Sequence, residues 1–405
     1  MEAKMTKKVK YLILGAGPSG LSLATRLQQL GETSFLVLEK ENEAGGLCRS
    51  KEVDGSSLDI GGGHFLDVRK KNIVDYLFDF LPAHEWNQFD RISKIRINKS
   101  EIDYPYEANI WQLSIDNQIR HLVSIMNSGS NRGEAVPRHF KEWITWKLGD
   151  VIAKDYMLPY NLKMFSGIDL NELGTSWLYK LPNVSFEEIL RSCLNKEPYG
   201  HLPAHAQFYY PKQYGYGEVF KRMGNFIGNK LVLNASVKTI NVDTRTVNNE
   251  IQAEKIITTI PWQEIMDNKS IPNNIKNNIV QLKYTSVDIA YQPQTSETDS
   301  FWTYFPDKNL PYHRVLYRHN FIEGARGYWE EINSNRLTTK HDVINHNKYA
   351  YPINTRQKPE VIKNILTWAK SKSIIGLGRW GEWIHMNSDV AVEKGLSLAE
   401  SLVSN

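Results

Sequence analysis

The residues best suited to bind a ligand lie in a glycine-rich run near the start of the sequence. Three of its glycines fit the pattern G-x-G-x-x-G, and the run reads Gly15-Ala16-Gly17-Pro18-Ser19-Gly20. An apolar run over residues 9–14 precedes it and apolar residues at helical spacing follow over residues 21–30, which predicts a strand, a tight turn and a helix. In that context the pattern indicates a dinucleotide site. Gly15 permits the turn, Gly17 lets the backbone approach a pyrophosphate, and Gly20 allows the helix to pack against the strand.

A carboxylate follows at the distance that such a site requires. Glu39 stands nineteen residues beyond Gly20, at the end of a second predicted strand over residues 34–38, where it would accept hydrogen bonds from ribose hydroxyls. The first turn of the helix, with Pro18 and Ser19, offers free N–H groups and positive potential to the phosphates. Lys40 joins the predicted cofactor-binding residues, and the whole predicts a right-handed β-α-β unit of Rossmann type.

The next stretch narrows the choice of dinucleotide. It reads Glu43-Ala44-Gly45-Gly46-Leu47-Cys48-Arg49-Ser50 and resembles the second glycine motif of the amine-oxidase-like flavoproteins. The resemblance implies FAD rather than NAD, with Gly46 and Leu47 beside the pyrophosphate and Arg49 neutralising it. Residues 253–261 resemble the strand that carries the adenine side in the same superfamily, and Val237 is assigned to the same FAD site.

Composition argues against several other classes of function. The 405 residues carry a net charge of only +4 with Lys and Arg spread along the chain, so we expect no nucleic-acid partner. No apolar run reaches the roughly 18 residues of a membrane helix and no signal-peptide pattern precedes the first strand, which predicts a cytoplasmic protein without membrane insertion. Cys48 and Cys193 provide neither a disulfide framework nor the ligand spacing of a metal site.

The overall pattern predicts an α/β protein with a Rossmann-type FAD-binding domain, a helical insertion domain and an antiparallel β-sheet domain. Helices are predicted over residues 72–81, 139–156, 185–194 and 388–403, and strands over residues 231–233, 237–242, 251–260 and 374–377. Residues 95–106 alternate like a strand that enters a loop, and residues 282–292 and 301–319 are two strand-rich stretches. The predicted FAD-binding domain combines residues 1–90, 205–280 and 345–405. Residues 110–204 form the predicted helical domain, and residues 91–109 with 281–344 form the predicted sheet domain.

Four further stretches resemble the UDP-galactopyranose mutase family, nearest to its eukaryotic-type branch, and they occur in the family's order. The first is Gly61-Gly62-Gly63-His64-Phe65, which looks like the mutases' histidine loop. The resemblance implies that His64 lies against the isoalloxazine near N5, with Gly62 and Gly63 beside the flavin.

The second stretch, Asp103-Tyr104-Pro105-Tyr106-Glu107-Ala108-Asn109, is similar to the family's Y-P-F-Q-N segment. The resemblance implies that Tyr104 and Tyr106 hold the nucleobase. Glu107 replaces the family's Gln by an acceptor-only group, which leaves the identity of the base open. Two core tyrosines on a strand remain the competing interpretation.

The third and fourth stretches supply groups for a substrate diphosphate. Trp302, Tyr304 and Arg314 have the spacing of a Trp, Tyr and Arg in the mutases, which implies that Arg314 meets the diphosphate and the sugar. The runs Tyr349-Ala350-Tyr351-Pro352 and Gly378-Arg379-Trp380-Gly381-Glu382-Trp383 resemble the motifs G-Y-P and G-R-F-G-x-W. They imply that Tyr351 and Arg379 bind the diphosphate and that Gly378 and Arg379 adjoin the flavin.

The last helix and the helical insertion complete the predicted site. His385 stands where the mutases have a second phosphate-binding Tyr, and the helix that opens with Met386, Asn387 and Ser388 would face the flavin pyrimidine ring. Residues 159–165 and 176–178 resemble P-Y-N-F-K-V-W and A-W-L, which implies that Asn161 and Trp177 line the substrate site. The family's loop Arg has no counterpart, and Lys180 nearby is not equivalent to Arg at a phosphate.

The resemblance implies an isomerase that interconverts the pyranose and furanose forms of a nucleotide-diphosphate sugar, UDP-galactose or a related one, through an adduct between N5 of reduced FAD and the sugar. His64, Arg314 and Arg379 are then the predicted catalytic residues, NAD(P)H is the predicted reductant, and cell-surface polysaccharide synthesis is the predicted context. An amine-oxidase-like FAD oxidoreductase and a flavin-binding protein without catalytic activity stay open as alternatives. The mutase requires Tyr104, Arg314, Tyr351 and Arg379 to cluster, whereas an oxidase would have an apolar or aromatic cage. The sugar and a homo-oligomeric state are left open.

Overall fold

The computed structural model describes residues 7–97, 100–175, 185–199, 205–266, 268–338 and 341–404. In chain order the strands are β1 (Lys7–Leu14), β2 (Phe35–Leu38), β3 (Ser50–Val53), β4 (Ser56–Asp59), β5 (Leu66–Asp67), β6 (Trp86–Asp90), β7 (Ser93–Ile97), β8 (Ser100–Asp103), β9 (Gln207–Pro211), β10 (Leu231–Val232), β11 (Ile240–Asn241), β12 (Thr246–Val247), β13 (Ile251–Thr258), β14 (Tyr284–Gln292), β15 (Trp302–Tyr304), β16 (Tyr312–Leu316), β17 (Tyr328–Asn333), β18 (Val343–Pro352) and β19 (Ile374–Gly376). The helices are α1 (Pro18–Gln29), α2 (Lys71–Phe78), α3 (Ile115–Met126), α4 (Phe140–Ile152), α5 (Leu158–Met164), α6 (Phe186–Asn195), α7 (Gly217–Ile227), α8 (Asn273–Gln281), α9 (Lys358–Ser371), α10 (Gly378–Gly381) and α11 (Ser388–Val403).

A parallel sheet carries the glycine turn. Its parallel strands lie in the order β10, β2, β1, β13; β19 pairs with the C-terminal half of β13, and the short strands β12 and β11 extend the sheet beyond β13 in antiparallel pairing. The inner parts of the strands, residues 11–14 of β1 and residues 35–38 of β2, are apolar because helices cover both faces, and Leu12 and Ile13 of β1 are completely buried. Helices α1 and α11 pack together on one face, where a side chain at Gly395 would overlap Ser22. Helices α8 and α9 cover the other face.

A second, mostly antiparallel sheet lies beside the first. Its strand order is β18, β14, β17, β16, β15, β7, β8, and only the β15–β7 pair among these is parallel. Two smaller sheets connect the glycine-rich segments to the rest of the fold: the β3–β4 hairpin and the three strands β5, β9 and β6.

Helices α3 to α6 form a layer with its own apolar core. Phe140, Ile144, Ile152 and Ile189 are buried in that core, and Ile95 of the second sheet belongs to the same cluster. The helical layer is therefore packed directly onto the edge of the second sheet.

The predicted α/β class is confirmed, and most of the predicted helices and strands occur within a few residues of their expected ends. Two predictions were wrong in detail. Residues 95–106 contain a pair of antiparallel strands, β7 and β8, rather than one strand. Within residues 237–242 only Ile240–Asn241 is a strand. The division into three domains stays a prediction, and its boundary at residue 345 falls inside β18.

Two kinds of feature are absent from the described ranges. None of the helices there is both long and apolar enough to span a bilayer. In the same ranges, no group of three or more His, Cys, Asp or Glu side chains is arranged to hold a metal ion.

Candidate active site

The glycine turn between β1 and α1 depends on two absent side chains. Gly15 has a positive φ of 100°, and a Cβ there would lie 2.5 Å from Oγ1 of Thr259. A Cβ on Gly20 would overlap the carbonyl oxygen of Gly15. Gly15 also donates its backbone N–H to the carbonyl of Leu38 at 2.8 Å, which ties the turn to β2. Both glycines are therefore required by the packing of the turn itself.

The second glycine motif lies directly against the first. A Cβ on Gly46 would come within 3.0 Å of the Cα of Gly17, and Gly45 donates its N–H to the carbonyl of Ala16 at 2.8 Å. By contrast, a Cβ on Gly17 would meet only the Cα of Gly46, at 3.8 Å. Gly17 has an ordinary extended backbone, with φ −79°, so the turn itself does not require a glycine here. The missing side chain instead keeps the adjacent space open.

Glu39 organises the backbone around this space. Its Oε2 accepts the N–H of Ala16 at 2.7 Å and its Oε1 accepts the N–H of Glu41 at 3.0 Å. The residue is 6% exposed and lines a cavity beside the glycine turn. Because a carboxylate has about four acceptor positions, two remain for ligand hydroxyls.

A single cavity of about 670 Å³ runs from Glu39 to the last helix. Its lining contains the following predicted cofactor residues: Gly15, Gly17, Pro18, Ser19, Glu39, Lys40, Gly46, Leu47, Arg49, His64, Val237, Arg379, Met386, Asn387 and Ser388. The other predicted cofactor residues do not line it. Gly20 allows α1 to pack on β1, and Gly378 allows α10 to approach Ser19. Gly62 packs against Glu331, and Gly63 packs against Leu316.

Arg49 is already engaged at the cavity wall. Its Nε donates to the carbonyl of Gly46 at 3.0 Å, and its Nη1 donates to Oε2 of Glu41 at 3.2 Å. Glu43 lies 3.8 Å away. The guanidinium therefore meets two carboxylates before any pyrophosphate, which reduces the net charge that it presents to a ligand.

His64 presents a hydrogen-bond acceptor at the other end of the cavity. Its Nδ1 lies 2.8 Å from the carbonyl oxygen of Gly62, and because a carbonyl only accepts, Nδ1 carries the proton. Loss of solvent and then the charge of Arg379 lower the pKa of His64 to about 4. The neutral ring leaves its Nε2 lone pair available.

Arg314 is held in place by a buried carboxylate on the neighbouring strand. The register of β16 and β17 sets Arg314 opposite Glu331, and Nε and Nη2 donate to Oε2 and Oε1 at 2.8 and 2.7 Å. Glu331 Oε1 also accepts the N–H of Gly63 at 2.8 Å. Although burial opposes ionisation, the charge of Arg314 and bonds from His313 and Arg314 hold the pKa of Glu331 at about 2. Arg314 is thereby fixed beside the turn that carries His64.

Arg379 bonds to main-chain carbonyls instead. It donates to the carbonyls of Ala350 at 3.1 Å and Met386 at 2.7 Å, and its guanidinium lies 5.8 Å from the ring centre of Tyr351. Among the residues that the structure describes, no carboxylate forms an ion pair with Arg379. Loss of solvent accordingly lowers the pKa of Arg379. A partly buried cation without a counter-ion is suited to bind an anion.

Tyr351 lies close enough to both arginines for their charges to act on its hydroxyl. Loss of solvent raises the pKa of Tyr351. The charge of Glu331 raises this pKa further, whereas the charges of Arg314 and Arg379 lower it. The ring of Tyr351 lies 5.0 Å from the ring of His385. Of these residues Arg379 lines the cavity with His64, whereas Arg314, Tyr351 and His385 are not part of its lining and Tyr351 and His385 are packed next to Arg379.

An aromatic wall continues from Arg314 along β15. Pairing of β15 with β16 sets Tyr304 opposite Arg314. The ring of Tyr304 lies 5.3 Å from Tyr104, and Nε1 of Trp302 donates to its hydroxyl at 3.0 Å. The guanidinium of Arg91 lies 4.3 Å from the Tyr104 ring and 4.7 Å from the Trp302 ring. Tyr104, Trp302 and Tyr304 therefore form one aromatic group around Arg91.

Other predicted substrate residues point into the core. Tyr106 is 2% exposed, and its hydroxyl lies 2.9 Å from Nε2 of His121. The amide of Asn161 donates to the carbonyl of Met157 at 2.7 Å within its own helical segment. Glu107 is 3% exposed, and within the described part of the chain its Oε1 has no hydrogen-bond partner. Trp177 and Lys180 lie outside the described residues.

Several residues that the sequence did not single out shape this site. Glu331, Arg91, Asp59 and Tyr216 each contact a predicted site residue. For Glu331 a signal was present, because a glutamate inside the strand Tyr328–Asn333 must be paired if it is buried. Nothing local marks the other three.

Comparison with known proteins places this geometry in a class. Residues 13–81 match the family described as the NAD(P)-binding Rossmann-like domain. Putrescine oxidase with bound putrescine has a TM-score of 0.62 at 16% identity, over 99% of this chain and 100% of that one. The chain therefore has a Rossmann-type dinucleotide-binding fold of the kind found in amine-oxidase-like flavoproteins.

Within that class, two comparisons concern UDP-galactopyranose mutase. The crystal structure of the reduced enzyme has a TM-score of 0.85 at 21% identity, and the match covers 98% of this chain and 94% of that chain. In sequence, the chain is 28% identical to the UDP-galactopyranose mutase of Mycoplasma pneumoniae over 111 residues, which are 27% of each protein. The chain thus spans about a quarter of that relative in the sequence alignment. The resemblance predicted from the motifs is confirmed at the level of the fold.

Proposed function

We propose that this protein is an FAD-dependent mutase that interconverts the pyranose and furanose forms of a nucleotide-diphosphate sugar, UDP-galactose or a related one. One observation carries the proposal. Arg379 lines the cavity together with His64 and lies over the ring of Tyr351, and Arg314 is joined through Glu331 to the turn that carries His64. An oxidase that removes hydride from an amine has no need of two cations at this place.

The cavity fits FAD by three features of this chain. Gly17 and Gly46 leave an open cradle that a side chain on Gly17 would enter, Glu39 retains free acceptor positions, and the cavity extends well beyond the glycine turns to His64 and Ser388. When bound and reduced, FAD would supply the nucleophile that an exchange at the anomeric carbon needs. The chain's own residues would do the remaining work, which is to bind, orient and retain the substrate.

The arginines are suited to retain a diphosphate leaving group. Arg314 is positioned by its two bonds to Glu331, and Arg379 by two carbonyls, so neither guanidinium must reorganise when an anion arrives. A partly desolvated guanidinium binds phosphate strongly because it is always charged, which suits Arg379; Arg314, with Nε and Nη2 bonded to Glu331, would donate through its remaining N–H groups. Retention of the diphosphate allows it to return to the anomeric carbon, which makes the overall reaction an isomerisation.

His64 would act as an acceptor rather than an acid. With Nδ1–H bonded to Gly62 and a pKa of about 4, the ring offers only its Nε2 lone pair at neutral pH. The same proposal includes NAD(P)H as the reductant, a cytoplasmic location and a role in cell-surface polysaccharide synthesis.

The test is an assay of the FAD-loaded protein against nucleotide-linked pyranoses and furanoses, with the flavin oxidised or reduced beforehand by dithionite. We expect interconversion only with the reduced protein, and a loss of most of this activity in Arg314→Lys, which keeps the charge but not the bidentate geometry. Arg326→Lys is the control, because Arg326 is mostly exposed and pairs with Asp54. Absence of interconversion with every sugar, together with oxygen-consuming oxidation of amines, would instead establish the amine-oxidase-like alternative.

A further inference from the structure

Tyr216 connects two walls of the cavity without lining it. Its ring lies nearly parallel to that of His64, with centres 6.2 Å apart and planes inclined by 13°. Its hydroxyl lies 2.7 Å from Oγ of Ser388, the first residue of α11. His64 and Ser388 both line the cavity, and Tyr216 is completely buried behind them. A displacement of Tyr216 would therefore be felt at both lining residues.

Asp59 fixes the main chain on which this arrangement depends. Its Oδ1 accepts the N–H of Tyr216 at 3.1 Å and the hydroxyl of Ser50 at 2.6 Å. Its Oδ2 accepts the hydroxyl of Tyr210 at 3.1 Å. The main-chain carbonyl of Asp59 accepts the N–H of Gly62, whose own carbonyl holds Nδ1 of His64. One buried residue thus anchors both the turn that carries His64 and the residue that packs behind it.

Burial of Asp59 makes its charge state sensitive to its surroundings. Loss of solvent raises the pKa of Asp59 to about 7, although its hydrogen bonds lower it. The ionisable groups that face it are Cys48, Tyr210 and Tyr216. Loss of solvent is the main influence on its ionisation, and the hydrogen bonds to its carboxylate from Ser50, Tyr216 and Tyr210 partly offset it.

We propose that Asp59 and Tyr216 are positioning residues that hold His64 in register with the N-terminal turn of α11. Asp59 and Tyr216 thereby keep the Nε2 acceptor of His64 and the positive N-terminal end of α11 directed at the same end of the cavity. The inference rests on the proposed function only in requiring that the cavity binds FAD. It concerns the properties of the bound flavin and does not depend on which substrate is converted.

The test compares Tyr216→Phe with Tyr210→Phe in the FAD-loaded protein. Each variant removes one phenol hydroxyl from the same network, but only Tyr216→Phe frees Ser388. We expect Tyr216→Phe to shift the flavin midpoint potential to a more negative value, because a looser helix N-terminus stabilises the anionic reduced form less. We also expect its FAD dissociation constant to rise about fivefold, the effect of one lost hydrogen bond, with a similar melting temperature in both apo-proteins. Tyr210→Phe should leave potential and affinity at their wild-type values.

A second variant examines the carboxylate. Asp59→Asn keeps the size of the side chain and its acceptor oxygen, so the protein should fold, but it cannot accept from Ser50, Tyr210 and Tyr216 as a carboxylate does. We expect the same direction of shift in potential as for Tyr216→Phe, and no further shift in the double variant, because the Asp59 carboxylate acts on Ser388 through its bond to Tyr216.

The outcomes separate this inference from the proposed function. Equal potentials in wild type, Tyr216→Phe and Tyr210→Phe would overturn the inference, even if the reduced wild-type protein isomerises a sugar. A shift confined to Tyr216→Phe and Asp59→Asn supports it, even if no sugar is converted. Failure of the wild-type protein to bind FAD would overturn both.

Discussion

Arg314 and Glu331 form a two-bonded ion pair, and Glu331 uses one of the same oxygens to hold the backbone of Gly63. The carboxylate therefore sets the distance between the Arg314 guanidinium on the second sheet and the glycine turn that carries His64. We expect Glu331→Gln to weaken both links. Because removing one member of a buried pair leaves an uncompensated charge, the free energy of unfolding should fall by about 3 kcal/mol, as measured by urea titration at pH 7.

The pH dependence of that loss gives a second readout. The pKa of Glu331 is lowered to about 2 in the folded protein, so its contribution to stability is present above the unfolded value of about 4.3 and is lost as the pH falls through 2. The difference between wild type and Glu331→Gln should shrink between pH 5 and pH 2. Glu330→Gln is the matched control, because burial raises the pKa of Glu330 and reverses the sign. An unchanged difference at low pH would contradict this account.

Gly17 and Gly20 should respond differently to the same added methyl group. In Gly20→Ala the Cβ would overlap the Gly15 carbonyl, so the β1–α1 turn must deform and both stability and FAD binding should fall. In Gly17→Ala the backbone is unstrained and the Cβ has room, so the melting temperature should stay within about 1 °C of wild type. FAD affinity, followed by flavin fluorescence, should nevertheless drop at least about tenfold, because the methyl group enters the space for the pyrophosphate.

Glu107→Gln should stabilise the protein at alkaline pH. Burial raises the pKa of Glu107 to about 7, so its contribution to stability is present below the unfolded value of about 4.3 and is lost as the pH rises through 7. Replacing the carboxyl by a neutral amide removes that loss, and we expect a gain on the order of 1–3 kcal/mol at pH 8.5 and little change at pH 5. Glu101→Gln, on the exposed side of β8, should show neither effect. Equal stability of Glu107→Gln and wild type at pH 8.5 would mean that the carboxyl finds a partner in solution.

Arg379→Lys should separate binding from folding. A lysine retains the charge but cannot bond to the carbonyls of Ala350 and Met386 while also meeting an anion in two places. We expect kcat/KM of the reduced protein to fall on the order of 100-fold, with little change in melting temperature. A variant with wild-type kcat/KM would show that Arg379 does not contact the reacting diphosphate.

The sequence predicted the glycine turns well because their requirements are local. Gly15 needs a positive φ and Gly20 a close helix, and both needs follow from adjacent residues. The pair Tyr104 and Tyr106 shows where local pattern fails. Their alternation suggests one shared face, yet the chain enters a turn of 3-10 helix over Tyr106–Ala108 directly after Pro105. Tyr104 joins the aromatic wall, whereas Tyr106 is buried in the helical layer.

Contacts between distant segments could not be predicted from local pattern. Glu331 meets Gly63 across 268 residues, and Tyr216 meets Ser388 across 172. Such contacts depend on the register of strands and on the path of the chain between sheets. Neither can be deduced from the pattern of a short stretch of the sequence. The motifs therefore indicated which residues gather at the cavity, but not which residues hold them there.

The parallel sheet is assembled from three separate parts of the chain, since β1 and β2 come from residues 7–38, β10 and β13 from residues 231–258, and β19 from residues 374–376. Helix α11, which supplies Ser388 to the cavity, packs against α1 from the opposite end of the sequence. During translation β1 and β2 can pair with each other, but their flanking strands β10 and β13, and then β19, leave the ribosome much later. The cavity is thus completed late in synthesis, and we expect the exposed outer edges of β1 and β2 to be the segments most in need of a chaperone before that point.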